Sequence, residues 1–155
     1  MKNIKLRPII SRLLIAVILG LVILSCDTSK FKKTPIDNFV GVWELQGRPM
    51  FEGIKIRIEK NEANEFAGKV VAINEDKYVK MFVDSAYLWV TDIKQSSNFE
   101  FRLTEKKIAS ELFALYGQDT KTEFKVQFID KDIFGLDAGS SDPTKSTIIY
   151  RRIEK

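Results

Sequence analysis

From Phe39 onward the chain alternates apolar and polar residues in short runs separated by polar turns. A period of two puts successive side chains on opposite faces of an extended strand, so this pattern restricts the chain to half-buried β-structure. Residues 53–60 carry it most cleanly: Ile54, Ile56 and Ile58 take one face, and Lys55, Arg57 and Glu59 the other. Phe99, Phe101 and Leu103 alternate with Glu100 and Arg102, as Phe124, Val126 and Phe128 do with Lys125 and Gln127. Further strands are expected over 39–46, 66–73, 78–83, 86–93, 132–137 and 145–153. Turn-forming segments separate them at 61–65, 74–77, 84–85, 95–98, 117–120 and 130–131, with a longer loop over 139–143.

Residues 108–116 (I-A-S-E-L-F-A-L-Y) fit two states. As a helix the segment would take Thr104 as N-cap, Glu105 in its first turn and Gly117 just past its end, with Ile108, Leu112 and Leu115 on one stripe. As a strand it would return from a hairpin at 104–107, and the hairpin rhythm on either side favours the strand. Counting it brings the total to about ten strands. The expected fold class is all-β, an antiparallel up-and-down meander closing into a barrel of about 8–10 strands.

The first 25 residues are of another kind. Lys2, Lys5, Arg7 and Arg12 precede an uninterrupted apolar run over 13–24, followed by Ser25 and the single cysteine, Cys26. Twelve apolar residues span only about 18 Å as a helix, short of the roughly 30 Å hydrocarbon core, so the segment fits a signal peptide better than a permanent membrane helix. Ile23-Leu24-Ser25-Cys26 resembles the lipobox of bacterial lipoprotein precursors, although that pattern usually has a smaller residue where Leu24 stands. The resemblance implies cleavage before Cys26 and lipid on its thiol. Two or more acyl chains on one residue would make attachment to a membrane stable where a single chain would not. Residues 26–36 would then be a polar, lipidated tether, and 37–155 the folded domain, lipid-anchored to a membrane of the bacterial cell envelope and facing the periplasm.

The formal net charge of +4 belongs to that leader. Removing its four basic residues leaves 21 of the 25, equal to the 21 acidic ones, so the mature part is formally neutral and gives no basic face for nucleic acid. The chain has no histidine, which removes the commonest general base and zinc ligand, and one cysteine cannot form an internal disulfide or a multi-cysteine metal site. No catalytic residues are expected, nor a cofactor or metal. The D-A-G-S-S-D stretch at 137–142 is too poor in ligands for a calcium loop, and the acidic pairs Glu62/Glu65 and Glu75/Asp76 sit in expected turns as solvated charge.

Phe39-Val40-Gly41-Val42-Trp43 has the spacing F-x-G-x-W and opens the folded part. It resembles the opening signature of lipocalins and fatty-acid-binding proteins. The resemblance implies a first strand whose Trp43 closes one end of a barrel, with a basic residue of the last strand across its ring. Arg151 and Arg152 both stand in the right region, and the contact would contribute about 0.5–2 kcal/mol. Phe39, Gly41, Trp43 and Arg151 are therefore the expected structural signature. The 47–53 connection is too short for the helical lid of fatty-acid-binding proteins, and the other signature segments are not evident.

Two functions of different classes follow. In the first, the barrel holds a small apolar or amphipathic ligand such as a fatty acid, with Trp89, Phe101, Phe124 and Phe128 as candidate lining residues. Phe101, Phe124 and Phe128 are most simply core residues, and would line a pocket only as a group in a barrel too wide to fill. In the second, the barrel is filled and its outer surface meets a periplasmic protein, as an inhibitor or immunity-type lipoprotein would.

Overall fold

The alternating segments become strands with their apolar faces turned inward. In the computed structural model, which describes residues 33–155, these are β1 (Gly41–Gln46), β2 (Lys55–Lys60), β3 (Phe66–Ala72), β4 (Leu88–Gln95), β5 (Glu100–Lys106), β6 (Lys121–Asp130), β7 (Ile133–Asp137) and β8 (Ile149–Glu154). The expected signal peptide over 1–25 and Cys26 lie outside the described residues. Each strand pairs antiparallel with the next, and β8 pairs back onto β1, so the meander closes into an eight-stranded barrel. Closure leaves no unpaired sheet edge. The inward set follows the expected alternation: Trp43 and Leu45 on β1, Ile56 and Ile58 on β2, Phe101 and Leu103 on β5, and Phe134 and Leu136 on β7 are all buried.

Two segments expected as strands are helices instead, which reduces ten strands to eight. Residues 78–83 fall mostly in α1 (Lys77–Phe82), whose N-cap Asp76 accepts hydrogen bonds from the backbone N–H groups of Tyr78 and Val79 at 2.8 and 3.2 Å. Its buried residues, Val79 and the adjoining Val83, are four apart, which is helical rather than strand spacing. Residues 108–116 contain α2 (Ser110–Leu115), entered through Ala109 in the left-handed region and left through Gly117 at φ +65. Thr104 is not its cap but part of β5, and Leu112 and Leu115 are exposed, so the stripe expected for a core-facing helix is not buried.

The meander sorts its connections onto two poles. The short β2–β3, β4–β5 and β6–β7 hairpins lie at one pole, together with the 3₁₀ turn Ile36–Phe39 that leads into β1. The opposite pole carries the longer connections: the 3₁₀ turns Pro49–Phe51 and Pro143–Lys145, and both α-helices.

Candidate functional site

The hairpin pole is closed by aromatic packing. Phe39 lies 5.0 Å from the ring of Phe101 and 5.0 Å from that of Phe134, and Phe134 is 4.7 Å from Trp43. Phe128 fills the space between them, 4.7 Å from Phe39. Trp43 is buried and donates its indole N–H to the Phe39 carbonyl at 2.7 Å. Over the indole stands a guanidinium, 4.0 Å from the ring centroid, and it belongs to Arg152. The correction to Arg151 has a simple cause. Arg152 is the direct cross-strand partner of Trp43 and shares its face, whereas Arg151 pairs with Glu44 and points to solvent. Arg152 also donates to the Val40 carbonyl at 2.7 Å and meets Asp132 at 3.2 Å, so it pins β1 to β8 and the β6–β7 turn. Gly41 holds φ +138, and a Cβ there would sit 2.5 Å from the Arg152 guanidinium. The motif glycine thus leaves the space through which the arginine reaches the tryptophan.

The opposite pole is built differently. Along β5 the inward positions are Phe101, Leu103 and Glu105, so the alternation that buries two apolar residues also carries a carboxylate inside the barrel. Glu105 accepts from the Tyr150 hydroxyl at 2.7 Å and from the Arg48 guanidinium at 2.8 Å. Tyr150, on β8, in turn accepts from the Trp89 indole N–H at 2.9 Å. Residues of β4, β5, β8 and the β1–β2 connection are therefore joined in one chain of hydrogen bonds, buried from Trp89 to Glu105 and part-buried at Arg48. Burial, reinforced by the Glu105 charge, holds the Tyr150 hydroxyl well above the ordinary tyrosine range. Tyr87 is also raised, chiefly by burial, with Lys106 partly offsetting it.

Above this chain lies a cavity of about 380 Å³. Its walls are the rings of Phe51, Trp89, Phe113 and Phe124, with Arg48 and Glu105 at its polar end and Lys106 and Lys107 among the strand-end residues around it. Arg48 rests against two of the rings, 4.9 Å from the Phe124 centroid and 5.7 Å from that of Phe51. Phe113 is supplied by α2, so the β5–β6 connection forms part of the wall. A hollow of about 520 Å³ adjoins this cavity and shares Phe124 and Ala138 with it, and another of about 520 Å³ lies beside the β2–β3 hairpin, lined by Asn61, Asn64 and Glu65 among others.

Of the aromatics expected along a ligand site, Trp89 and Phe124 line this cavity. Phe101 and Phe128 do not; both belong to the packed floor around Phe39. Their strands cross the whole barrel, and these two positions lie toward the hairpin pole. Leu88 is partly exposed while Trp89 and Val90 are both buried, because the β4–β5 register shifts beyond Val90 and interrupts strict alternation. Arg48, Phe51, Glu105, Phe113 and Tyr150 were not singled out in the sequence. Glu105 alone had a local signal, a charged residue in phase with Phe101 and Leu103. Among the described residues no cluster of His, Cys, Asp and Glu could hold a metal ion. No protein-family model, curated protein or solved structure matches the chain.

Proposed function

We propose that this chain is an envelope lipoprotein, anchored through lipid on Cys26, whose barrel binds a small amphipathic molecule in the cavity at its open pole. The observation that carries the reading is the asymmetry of the interior. One pole is packed with rings, and the other keeps a cavity of about 380 Å³ lined by four more. An eight-stranded barrel is just wide enough either to fill itself or to hold one small ligand, and mostly apolar pockets with a few convergent polar groups are the usual form of ligand sites. The Arg48–Glu105 pair, with Glu105 buried and Arg48 part-buried, supports it further. Well-packed apolar residues in place of such a pair are often neutral or stabilising, so the pair is poorly accounted for by stability alone. The F-x-G-x-W opening and the Arg152–Trp43 contact fit the lipocalin resemblance, in which small ligands enter the barrel.

Native mass spectrometry of the protein purified from its own envelope tests the ligand reading, with a retained small molecule expected. Recovery of ligand-free protein that also takes up no small amphiphile in titration would remove it. For the anchor, Cys26→Ser is expected to abolish incorporation of labelled palmitate, and a variant that still incorporates label would refute lipidation at that thiol. A protein-interaction reading draws on the exposed Met81 (68%) of α1 and Leu115 (80%) and Tyr116 (81%) at the end of α2, all on connections at the open pole. A stoichiometric co-purifying protein, lost on changing Leu115 and Tyr116 to serine, would favour it.

A further inference from the structure

The groups at the polar end of the cavity differ in how much hydrogen-bonding capacity they leave free, and this decides the chemistry of what can bind there. Glu105 is engaged at both oxygens, one by Tyr150 and one by Arg48. The Trp89 N–H is engaged by the Tyr150 hydroxyl, and that hydroxyl's own proton by Glu105. Arg48 is different. A guanidinium has five N–H donors, and among the described residues Arg48 uses its side chain for one hydrogen bond, to Glu105. Arg48 lines the cavity, and its guanidinium lies against the faces of two other lining residues, Phe51 and Phe124. The capacity on offer is therefore donor capacity, which a ligand can meet only with an acceptor.

Charge points the same way. The ionised side chains lining the cavity are Arg48, Lys106 and Lys107 against the single carboxylate Glu105. Lys106 is engaged outside by Glu111 at 3.0 Å, and Lys107 lies over the Phe113 ring. An ammonium group entering the cavity would meet a net positive wall and a carboxylate already paired. An anion would complete the guanidinium fork, the geometry in which arginine binds carboxylates most strongly. The body of the ligand is limited by what lies beneath: Phe39, Phe101, Phe128 and Phe134 fill the barrel below, so a long chain has no channel along the axis. The cavity of about 380 Å³ that Phe51, Trp89, Phe113 and Phe124 help to line instead favours a compact body with a flat apolar face.

Resting on the ligand-binding reading above, we infer that the ligand is a compact aromatic acid, its ring among those four side chains and its anionic group on the free donors of Arg48. The test is isothermal titration of the full chain in lipid nanodiscs, with empty nanodiscs subtracted. Three probes of one shape are used: 2-naphthoate, the neutral 2-naphthamide and the cationic 2-naphthylmethylamine. Naphthoate is expected to bind about tenfold more tightly than the amide, with the amine weakest. Arg48→Lys keeps the charge and the ion pair but removes the fork, and is expected to weaken naphthoate about tenfold while leaving the amide within about twofold. The double change Arg48→Met with Glu105→Gln keeps the interior neutral and preserves an acceptor for Tyr150; it is expected to bind acid and amide alike. If the wild type binds all three probes equally or prefers the amine, the acid assignment falls and the ligand cavity stands. If naphthoate binding survives the double change intact, the assignment to Arg48 falls. If none of the probes nor any neutral amphiphile binds, the ligand-binding reading falls with it.

Discussion

Trp43 touches Phe134 and Phe128 and carries Arg152 on its ring, so its removal leaves a hole at the centre of the closed pole. Trp43→Ala is expected to lower stability by about 3–5 kcal/mol in urea unfolding. The two neighbouring arginines give a sharper comparison. Arg152→Lys keeps a cation but loses the planar fork that reaches Val40, Asn38 and Asp132 together, at an expected cost of about 1–3 kcal/mol. Arg151→Ala is expected to stay within about 0.5 kcal/mol of wild type. Equal losses from the two would contradict the placement of Arg152 on the indole. The residues F-x-G-x-W were visible in the sequence, but the choice between Arg151 and Arg152 was not. It depends on which of them stands opposite Trp43, and that register includes a shift between Val42 and Trp43 set by pairing across more than a hundred residues.

The elements most easily recognised were those whose alternation extends over several residues with charged residues on the outer face, as in β2, β5 and β6. Residues 78–83, expected as a strand, and 108–116, which fit both states, are short windows that do not separate a period of two from one of 3.6. For α1 the deciding group stands outside the apolar run: Asp76 satisfies two N–H groups of the first turn. Asp76→Ala is expected to cost about 1 kcal/mol, read as a lowered thermal midpoint, with Asp76→Asn close to wild type. A loss no larger than that of an ordinary surface change would remove the cap from the account. For α2 the stop at Gly117 was legible and holds φ +65, but the start was not, since Ala109 takes a left-handed conformation at φ +54 without being glycine and the helix buries little of its apolar surface. The candidate site was harder to foresee for the same physical reason. Its polar end is assembled from Arg48 in a short connection, Glu105 near the end of β5 and Tyr150 on β8, which only closure of the barrel brings together.

At the scale of the whole barrel, Tyr150 is the group that joins distant strands through one hydroxyl, donating to Glu105 on β5 and accepting from Trp89 on β4. Its position couples the integrity of the open pole to pH. Burial and the adjacent Glu105 charge favour the neutral phenol, so its folded-state pKa lies well above the value of about 10 for an exposed tyrosine. The sign follows from proton binding. Above about pH 10 the unfolded chain gives up the Tyr150 proton while the folded chain keeps it, so folding is linked to holding a proton. The stability contributed is fully present below about pH 10 and falls as pH rises beyond it. Urea unfolding of the wild type at a series of pH values from 8 to 11 is therefore expected to show a fall at the alkaline end to which Tyr150 contributes. Tyr150→Phe removes the ionising group but leaves the Trp89 N–H and one oxygen of Glu105 without their partner, so at pH 7 it is expected to be about 1–3 kcal/mol less stable. Its stability should then decline less steeply than the wild type above about pH 10. Two parallel alkaline profiles would mean that Tyr150 ionises as readily in the folded barrel as in the unfolded chain, and the closed hydrogen-bond chain beneath the cavity would have to be abandoned.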